Sequence, residues 1–405
     1  MTAAPVVIVG GGFGGLYTAL ALAARRSHPP ILLIEPNERF LFLPLLYELL
    51  SGEVQSWEIA PRYDTLLAGK GVAWLKDRVS RIDGNLRIVE TASGQKLPYS
   101  RLVIATGARV NSFGIPGVEE HCLGFRSLAD VEQLQALVAQ LRRTQRPLQR
   151  LAVVGAGASG VELACKLADS LAGSAAVELI EQGETLLPAA KSFNREQANL
   201  ALVRKDVRLR LRTQVVGVAA GQLSLQTSAA GQAGGPAGPP SLENLAVNGV
   251  IWTAGLKFEA PSIEPPAATD RRGRLLCQAD LQLLGHPNLF ALGDIAQLEG
   301  DEPLAATAQV AFQQAENLAA NLPKSLAGEA LEPFQYNDLG EMMSLGEGDA
   351  ALTGAGLTLA GPAAFQLRRL AYLSRLPSKG HQLRVATGWL SNTSWLSSLN
   401  WLAKS

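Results

Sequence analysis

The sequence predicts an α/β protein with two parallel-sheet units, the second inserted in the first, followed by a small C-terminal α+β domain. Three observations carry this reading: two glycine-rich turns of one design, an acidic residue at a matching distance behind each, and two later strand ends that echo one another. The first turn, Gly10-Gly11-Gly12-Phe13-Gly14-Gly15, follows the apolar run Val6-Val7-Ile8-Val9, and Glu35 closes the next run, Ile31-Leu32-Leu33-Ile34. The second, Gly155-Ala156-Gly157-Ala158-Ser159-Gly160, follows residues 151–154, and Glu181 comes after Val177-Glu178-Leu179-Ile180. Each acid lies about 20 residues past its last glycine, the spacing at which a second strand delivers a carboxylate to a ribose.

Each turn has a specific physical logic. The first glycine permits the sharp passage from strand to helix, the second lets the backbone approach a pyrophosphate, and the third lets helix pack on strand. A diphosphate then rests on free N–H groups at a helix N-terminus. Both units therefore read as Rossmann-like dinucleotide-binding domains, with Gly10, Gly12, Phe13, Gly14, Gly15 and Glu35 as the first binding set. Gly155, Gly157, Ser159, Gly160 and Glu181 form the second.

In chain order, the first unit has a strand at 6–9, a helix at 14–25, a strand at 31–35 and a loop rich in apolar and aromatic residues. The run Val72-Ala73-Trp74-Leu75-Lys76-Asp77-Arg78-Val79 and the alternating Leu86-Arg87-Ile88-Val89 are short strand candidates. The unit closes on Leu102-Val103-Ile104-Ala105-Thr106-Gly107, where glycine lets the chain pass close to a ligand. The second unit ends on Val250-Ile251-Trp252-Thr253-Ala254-Gly255. Within it, residues 227–240 have no apolar period and many breakers, and read as a hairpin tip. The chain then returns to the first unit through Asn288-Leu289-Phe290-Ala291-Leu292-Gly293-Asp294 and a helix from about Thr307 to Asn321. The expected divisions are 1–120 and 256–330 for the first unit, 121–255 for the second and 331–405 for the third.

Bulk properties fit this plan. A chain of 405 residues, 47% hydrophobic and 18% charged, is long enough for two or three domains with a buried α/β core. Its 36 basic and 36 acidic residues cancel, so the overall charge gives no reason to expect a nucleic-acid partner. The three cysteines, Cys122, Cys165 and Cys277, have neither metal nor redox spacing and read as free thiols in a reducing compartment; no metal site is expected. The first strand begins at Val6, which leaves no room for a signal peptide, and no run reaches the 18 or so apolar residues of a spanning helix. A soluble or peripheral protein is expected.

As a set, Gly10 to Gly15 with Glu35, Ala105-Thr106-Gly107, Gly155 to Gly160 with Glu181, Thr253-Ala254-Gly255 and Gly293-Asp294 resemble the two-dinucleotide-binding-domain flavoproteins, whose fold is glutathione-reductase-like. In that family the first box holds FAD and the inserted one NAD(P)H. The resemblance implies Glu35 on the FAD ribose, Asp294 on the ribityl or pyrophosphate region, the backbone of Val79 on the adenine, and Ala254 and Gly255 beside the nicotinamide nucleotide. Glu181 favours NADH by accepting hydrogen bonds from a free 2′-hydroxyl, and Gln182-Gly183-Glu184 bring no arginine near it in sequence. NADPH stays open as an alternative.

No cysteine precedes Cys122, which argues against the disulfide-reducing branches. In their place stands Ala308-Gln309-Val310-Ala311-Phe312-Gln313-Gln314, which resembles the quinone-site motif of type II NAD(P)H:quinone oxidoreductases. Four residues apart on a helix, Gln309 and Gln313 share one face. The resemblance implies that their amides lie below the flavin ring and meet a quinone carbonyl. Phe42-Leu43-Pro44-Leu45-Leu46-Tyr47-Glu48 resembles the family's loop along the flavin and quinone channel, and Glu162 its acid near flavin and nicotinamide. A buried carboxylate there has a raised pKa and can relay a proton, or else only orients the nicotinamide.

Phe334-Gln335-Tyr336, Gly340-Glu341-Met342-Met343-Ser344-Leu345-Gly346 and the run from Arg368 to Pro377 resemble the plant C-type and cyanobacterial members, a branch associated with demethylphylloquinone reduction. Apolar residues recur at Phe365, Leu367, Leu370, Leu373 and Leu376, with Arg368, Arg369 and Arg375 among them, and Trp389, Trp395 and Trp401 follow. Such segments suit a headgroup layer, tryptophans inward and arginines toward anionic lipid, or else cover a core or a dimer seam. The resemblance implies a peripheral protein on the cytoplasmic side of a membrane, thylakoid or plasma membrane if cyanobacterial, and a homodimer. The competing readings are a ferredoxin or rubredoxin reductase, and a FAD- and NAD(H)-binding redox sensor with little turnover.

Overall fold

A computed structural model of the chain describes residues 4–144, 146–228, 241–300 and 304–391. Most of the expected hairpin tip at 227–240, and the tail tryptophans Trp395 and Trp401, lie outside the described residues.

The strand Val6–Val9 lies inside an eight-stranded sheet, between the parallel strands Ile31–Ile34 and Arg101–Ile104. Helices and loops cover both faces, so its residues are continuously apolar and buried rather than alternating. Val72–Leu75 extends the sheet at one side, and His286–Ala291, from much later in the chain, pairs with Arg101–Ile104 on the other. A second, five-stranded sheet runs Arg208–Arg210, Ala176–Ile180, Arg150–Val154, Gly249–Trp252, Cys122–Leu123, all parallel. Every strand of the second sheet falls in sequence between strands of the first, as an inserted unit requires. The helices Phe13–Ala23 and Ala158–Leu171 follow the strands Val6–Val9 and Arg150–Val154, and Ala308–Ala327 packs on Phe13–Ala23.

The candidate strand 72–79 is divided in the structure. Val72–Leu75 belongs to the large sheet, while Val79–Asp83 joins a smaller one with Ile88–Thr91, Lys96–Pro98 and Ser262–Glu264. Between them Asp77 turns the chain, its carboxylate accepting a bond from its neighbour's N–H at Arg78. Leu86 stands in a turn in which Asp83 accepts the N–H groups of Asn85 and Leu86, so its apolar side chain is exposed.

The C-terminal part comprises three antiparallel strands, Glu341–Gly346, Asp349–Gly354 and Leu357–Ala360, and the helices Pro362–Arg375 and Lys379–Ser391. Of the two dispositions expected of its apolar and basic residues, Arg368 and Trp389 follow the covering of a core rather than arginines toward lipid. Arg368 is fully buried and Trp389 is buried beneath the Arg369 guanidinium, 4.1 Å away, whereas Leu367, Leu370, Leu383 and Leu390 face outward. The reason is an ion pair: Arg368 meets the buried Glu48, and it turns inward the face on which the apolar period alone would place a leucine. Among the described residues, no helix is long and apolar enough to cross a membrane.

Candidate active site between the two glycine turns

Both glycine turns open onto one cavity of about 610 Å³. In the first, Gly10 has φ +99°, and a Cβ there would lie 2.4 Å from the Ala105 carbonyl oxygen; a Cβ on Gly15 would lie 1.8 Å from the Gly10 carbonyl oxygen. The second repeats this with Gly155 at φ +101°, and a Cβ on Gly160 would lie 1.8 Å from the Gly155 carbonyl oxygen. Gly12 and Gly157, the N-caps of the two helices, have open space where a Cβ would be and line the cavity. Neither helix has a side-chain cap or an acid in its first turn, so their N–H groups are left for a ligand. These are cradles for two diphosphates, and the residues present fit FAD in one and a nicotinamide dinucleotide in the other.

The two acids are arranged alike. Glu35 Oε2 accepts from Gly11 N at 2.7 Å, and its Oε1 accepts from Asn37 N and Asn37 Nδ2. Glu181 Oε2 accepts from Ala156 N at 2.8 Å and its Oε1 from Gly183 N at 2.7 Å. Next to the first turn, where a Cβ on Gly14 would lie 3.0 Å from Leu292 Cγ, Gly293 turns at φ +73° and donates its N–H to Gln314 Oε1, which places Asp294 at the cavity wall. Burial pushes the Asp294 carboxyl up, and Arg126, also in the lining, opposes that shift.

Of the residues expected from sequence, Gly10, Gly12, Phe13, Gly14, Glu35, Pro44, Ala105, Thr106, Gly107, Gly157, Ser159, Gly160, Gly255, Gly293, Asp294 and Ala308 line the cavity. Gly15, Gly155, Glu181 and Ala254 do not: the glycines and Ala254 shape the turns behind it, where a Cβ on Gly155 would lie 3.0 Å from Ala254 Cα, and the Glu181 carboxylate is held on the Ala156 and Gly183 N–H groups. Val79 is also absent from the lining: it is buried and paired with Thr91 in the smaller sheet.

The expectation for Gln309 and Gln313 needs correction. They do share a face of Ala308–Ala327, but that face points away from the cavity, toward residues 336–340. Gln309 accepts from Leu339 N at 2.8 Å and donates to the Gly340 carbonyl oxygen at 3.1 Å. Gln313 accepts from Asn337 N at 3.0 Å and donates to the Asn337 carbonyl oxygen at 2.8 Å. Helical geometry gives the cavity the opposite face, and Ala308 and Ala311 line it.

Glu162 lies just behind the wall formed by Pro44 and Tyr47 and is buried. It accepts from Ser344 N at 2.7 Å, and Arg368 Nη2 is 3.5 Å away. Arg368 also donates to the Pro44 carbonyl oxygen at 2.8 Å and pairs with Glu48. Burial raises the Glu162 pKa to about 7, against the opposing Arg368 charge and Ser344 N–H; Glu48 adds to the rise and the Tyr47 hydroxyl opposes it. A carboxyl poised there exchanges a proton near neutral pH.

Sequence reasoning missed several residues. Thr307 lines the cavity mouth and caps its helix by accepting from Val310 N at 3.3 Å, a role that its position before the helix signals. The Tyr63 hydroxyl donates to the Gly11 carbonyl oxygen at 2.7 Å, and Arg126 and Arg272 bring positive charge to the wall. For these three the sequence carries no local signal.

Comparison with known proteins agrees with this geometry. Residues 4–315 match the family model described as pyridine nucleotide-disulphide oxidoreductase. The chain is 38% identical to demethylphylloquinone reductase NdbB of Synechocystis sp., over 95% of each chain. It is 35% identical to the alternative NAD(P)H-ubiquinone oxidoreductase C1 of Arabidopsis thaliana, covering 96% of this chain and 81% of the relative. With the type II NADH:quinone oxidoreductase Ndh of Mycobacterium tuberculosis it shares 30% identity over 84% of this chain and 77% of the other. Among solved structures, NDH2 of Plasmodium falciparum in complex with NADH superposes with a TM-score of 0.81 at 17% identity, over 97% of this chain and 98% of that one. From its glycine turns to its C-terminal helices, this chain belongs to the pyridine nucleotide-disulphide oxidoreductases and, among them, to the type II NADH:quinone oxidoreductase family.

Proposed function

We propose that this chain is a FAD-dependent NAD(P)H:quinone oxidoreductase whose acceptor is a naphthoquinone of the demethylphylloquinone type. The carrying observation is that two diphosphate cradles of one design open onto a single cavity, so two nucleotides meet end to end. Bound in the first cradle, FAD supplies the two-electron chemistry that links a hydride donor to a quinone. The protein's part is placement. Gly10 to Gly15, Glu35, the turn at Ala105 to Gly107, and Gly293 with Asp294 hold the first nucleotide. Gly155 to Gly160, Glu181, Ala254 and Gly255 hold the second.

For the quinone we favour the apolar wall made by Leu41, Leu43, Pro44, Tyr47, Ala308 and Ala311, in place of the amides of Gln309 and Gln313. Glu162 holds the proton that a reduced quinone oxygen needs, and Arg368 fixes both Glu162 and the Pro44 loop. The naphthoquinone assignment follows the name of the Synechocystis relative. Non-pumping turnover fits the absence of a spanning helix among the described residues.

The exposed leucines Leu367, Leu370, Leu383 and Leu390 on the last two helices support a peripheral membrane site, where a lipophilic quinone is reached. The divisions at 120, 255 and 330 remain our working domain boundaries, and the C-terminal domain our candidate for the dimer contact. The test is product stoichiometry: anaerobic turnover with NADH and a demethylated naphthoquinone yields one quinol per NADH. Persistent NADH oxidation without quinol, or no turnover with any quinone, contradicts the proposal.

A further inference from the structure

The ribose end of the second glycine turn contains a cation that the sequence hides. Glu181 closes its strand with its N–H on the Arg210 carbonyl oxygen at 2.8 Å and its carbonyl oxygen accepting from Thr213 N at 2.9 Å. The next strand thus returns beside Glu181, and between those two contacts sits Arg212. Its N–H donates to the Gly183 carbonyl oxygen, and its own carbonyl oxygen accepts from Ser228 N, both at 2.9 Å. Its φ is +51°, a left-handed conformation disfavoured for a residue with a side chain and held here by bonds on both sides. The Arg212 backbone is therefore held against the loop 182–184.

There Arg212 Nη2 lies 3.1 Å from Glu184 Oε1, with the two side chains 38% and 75% exposed. Arg210, the neighbouring cation, is already committed to Glu178 at 2.7 Å and Glu243 at 2.8 Å. Among the described residues, Arg212 is thus the cation whose backbone meets the loop after Glu181 and whose guanidinium pairs with the exposed Glu184. A carboxylate accepts from a free 2′-hydroxyl and repels a 2′-phosphate, whereas a nearby arginine accommodates the phosphate.

We propose that the Glu184–Arg212 pair sets the nicotinamide-nucleotide preference. With Glu184 in place, its carboxylate engages Arg212 and NADH is preferred; with the Glu184 charge removed, Arg212 turns to a 2′-phosphate and NADPH is accepted. This rests on the second turn being the NAD(P)H site, and the test separates the two claims.

The flavin-loaded protein is titrated calorimetrically with ADP-ribose and with 2′-phospho-ADP-ribose, and kcat/KM is measured with NADH and NADPH. Wild type is expected to bind ADP-ribose more tightly. Glu184→Gln should tighten 2′-phospho-ADP-ribose about tenfold at low salt, leave ADP-ribose within about twofold, and raise kcat/KM for NADPH in parallel. Adding Arg212→Gln to Glu184→Gln should abolish the gain. A gain that survives in the double variant, or no gain in Glu184→Gln, overturns the proposal while leaving the site assignment intact. Failure of wild type to bind either ligand overturns the site assignment and the proposal together.

Discussion

The two glycine turns share their backbone logic and differ in what surrounds them. In the first, a Cβ on Gly11 would lie 2.3 Å from the Tyr63 hydroxyl oxygen, so glycine is required. In the second, the equivalent place is taken by Ala156, fully buried without conflict. Around the first, Phe13, Tyr17, Phe40 and Phe42 pack ring to ring, with Phe13 on Phe40 at 5.3 Å between centroids. Glu35 is buried, and Asn37 closes over it; Glu181 is less buried, with the exposed Glu184 and Arg212 beside it. The lesson is that one fingerprint is set in two surroundings, the first enclosed by aromatic rings and the second rimmed by exposed charges, as a retained and an exchanged nucleotide would respectively require.

The largest effects should come from the third glycines. Gly15→Ala and Gly160→Ala each place a Cβ against a carbonyl oxygen, an overpacking that costs about 1–3 kcal/mol or more. Gly15→Ala is expected to purify largely without flavin. Gly160→Ala is expected to keep its flavin and lose at least tenfold in kcat/KM for NADH. Flavin absorbance per protein and steady-state kinetics check this, and equal flavin loss in both variants would break the comparison.

A smaller effect tests Tyr63 directly. Gly11→Ala should weaken FAD retention, and thermal unfolding with and without added FAD should show the loss. Ala156→Gly should cost about 1 kcal/mol or less, with flavin content unchanged.

Glu162 sharpens the comparison where the two sites meet. Its folded-state pKa is raised to about 7, so the folded protein holds this proton more tightly than the unfolded chain does. Its contribution to stability is present below the ordinary carboxylate range and lost as pH rises toward 7. Glu162→Gln should flatten the stability profile between about pH 5 and 7. It should also remove an inflection near pH 7 from quinol formation while leaving flavin reduction by NADH in place. An unchanged inflection would assign the proton to another group.

A further effect, confined to stability, concerns the two glutamines. Gln309→Ala and Gln313→Ala each break hydrogen bonds to the backbone of 336–340, which should cost about 1–2 kcal/mol of stability with KM for quinone unchanged. A several-fold rise in that KM would restore them to the quinone site.

The sequence made the glycine turns, their strands and their acids legible because those requirements are local: a positive φ, a missing Cβ and a fixed spacing survive translation into text. Gln309 and Gln313 were legible as a pair on one helical face, and the choice of which face meets the cavity was not, because residues 336–340 make that choice. Arg368 looked like a lipid-facing cation among leucines. Its burial depends on Glu48, on a separate element far earlier in the chain, and no periodicity reports that. Arg212 was hidden for the same reason, since strand pairing brings it beside Gly183.

The most direct test of the account is an anaerobic stopped-flow experiment that follows flavin absorbance. NADH added to the purified protein should bleach the flavin, and a demethylated naphthoquinone added next should restore it within the turnover time. Bleaching without recovery would contradict the quinone assignment and move the acceptor to a protein partner or a sensing role.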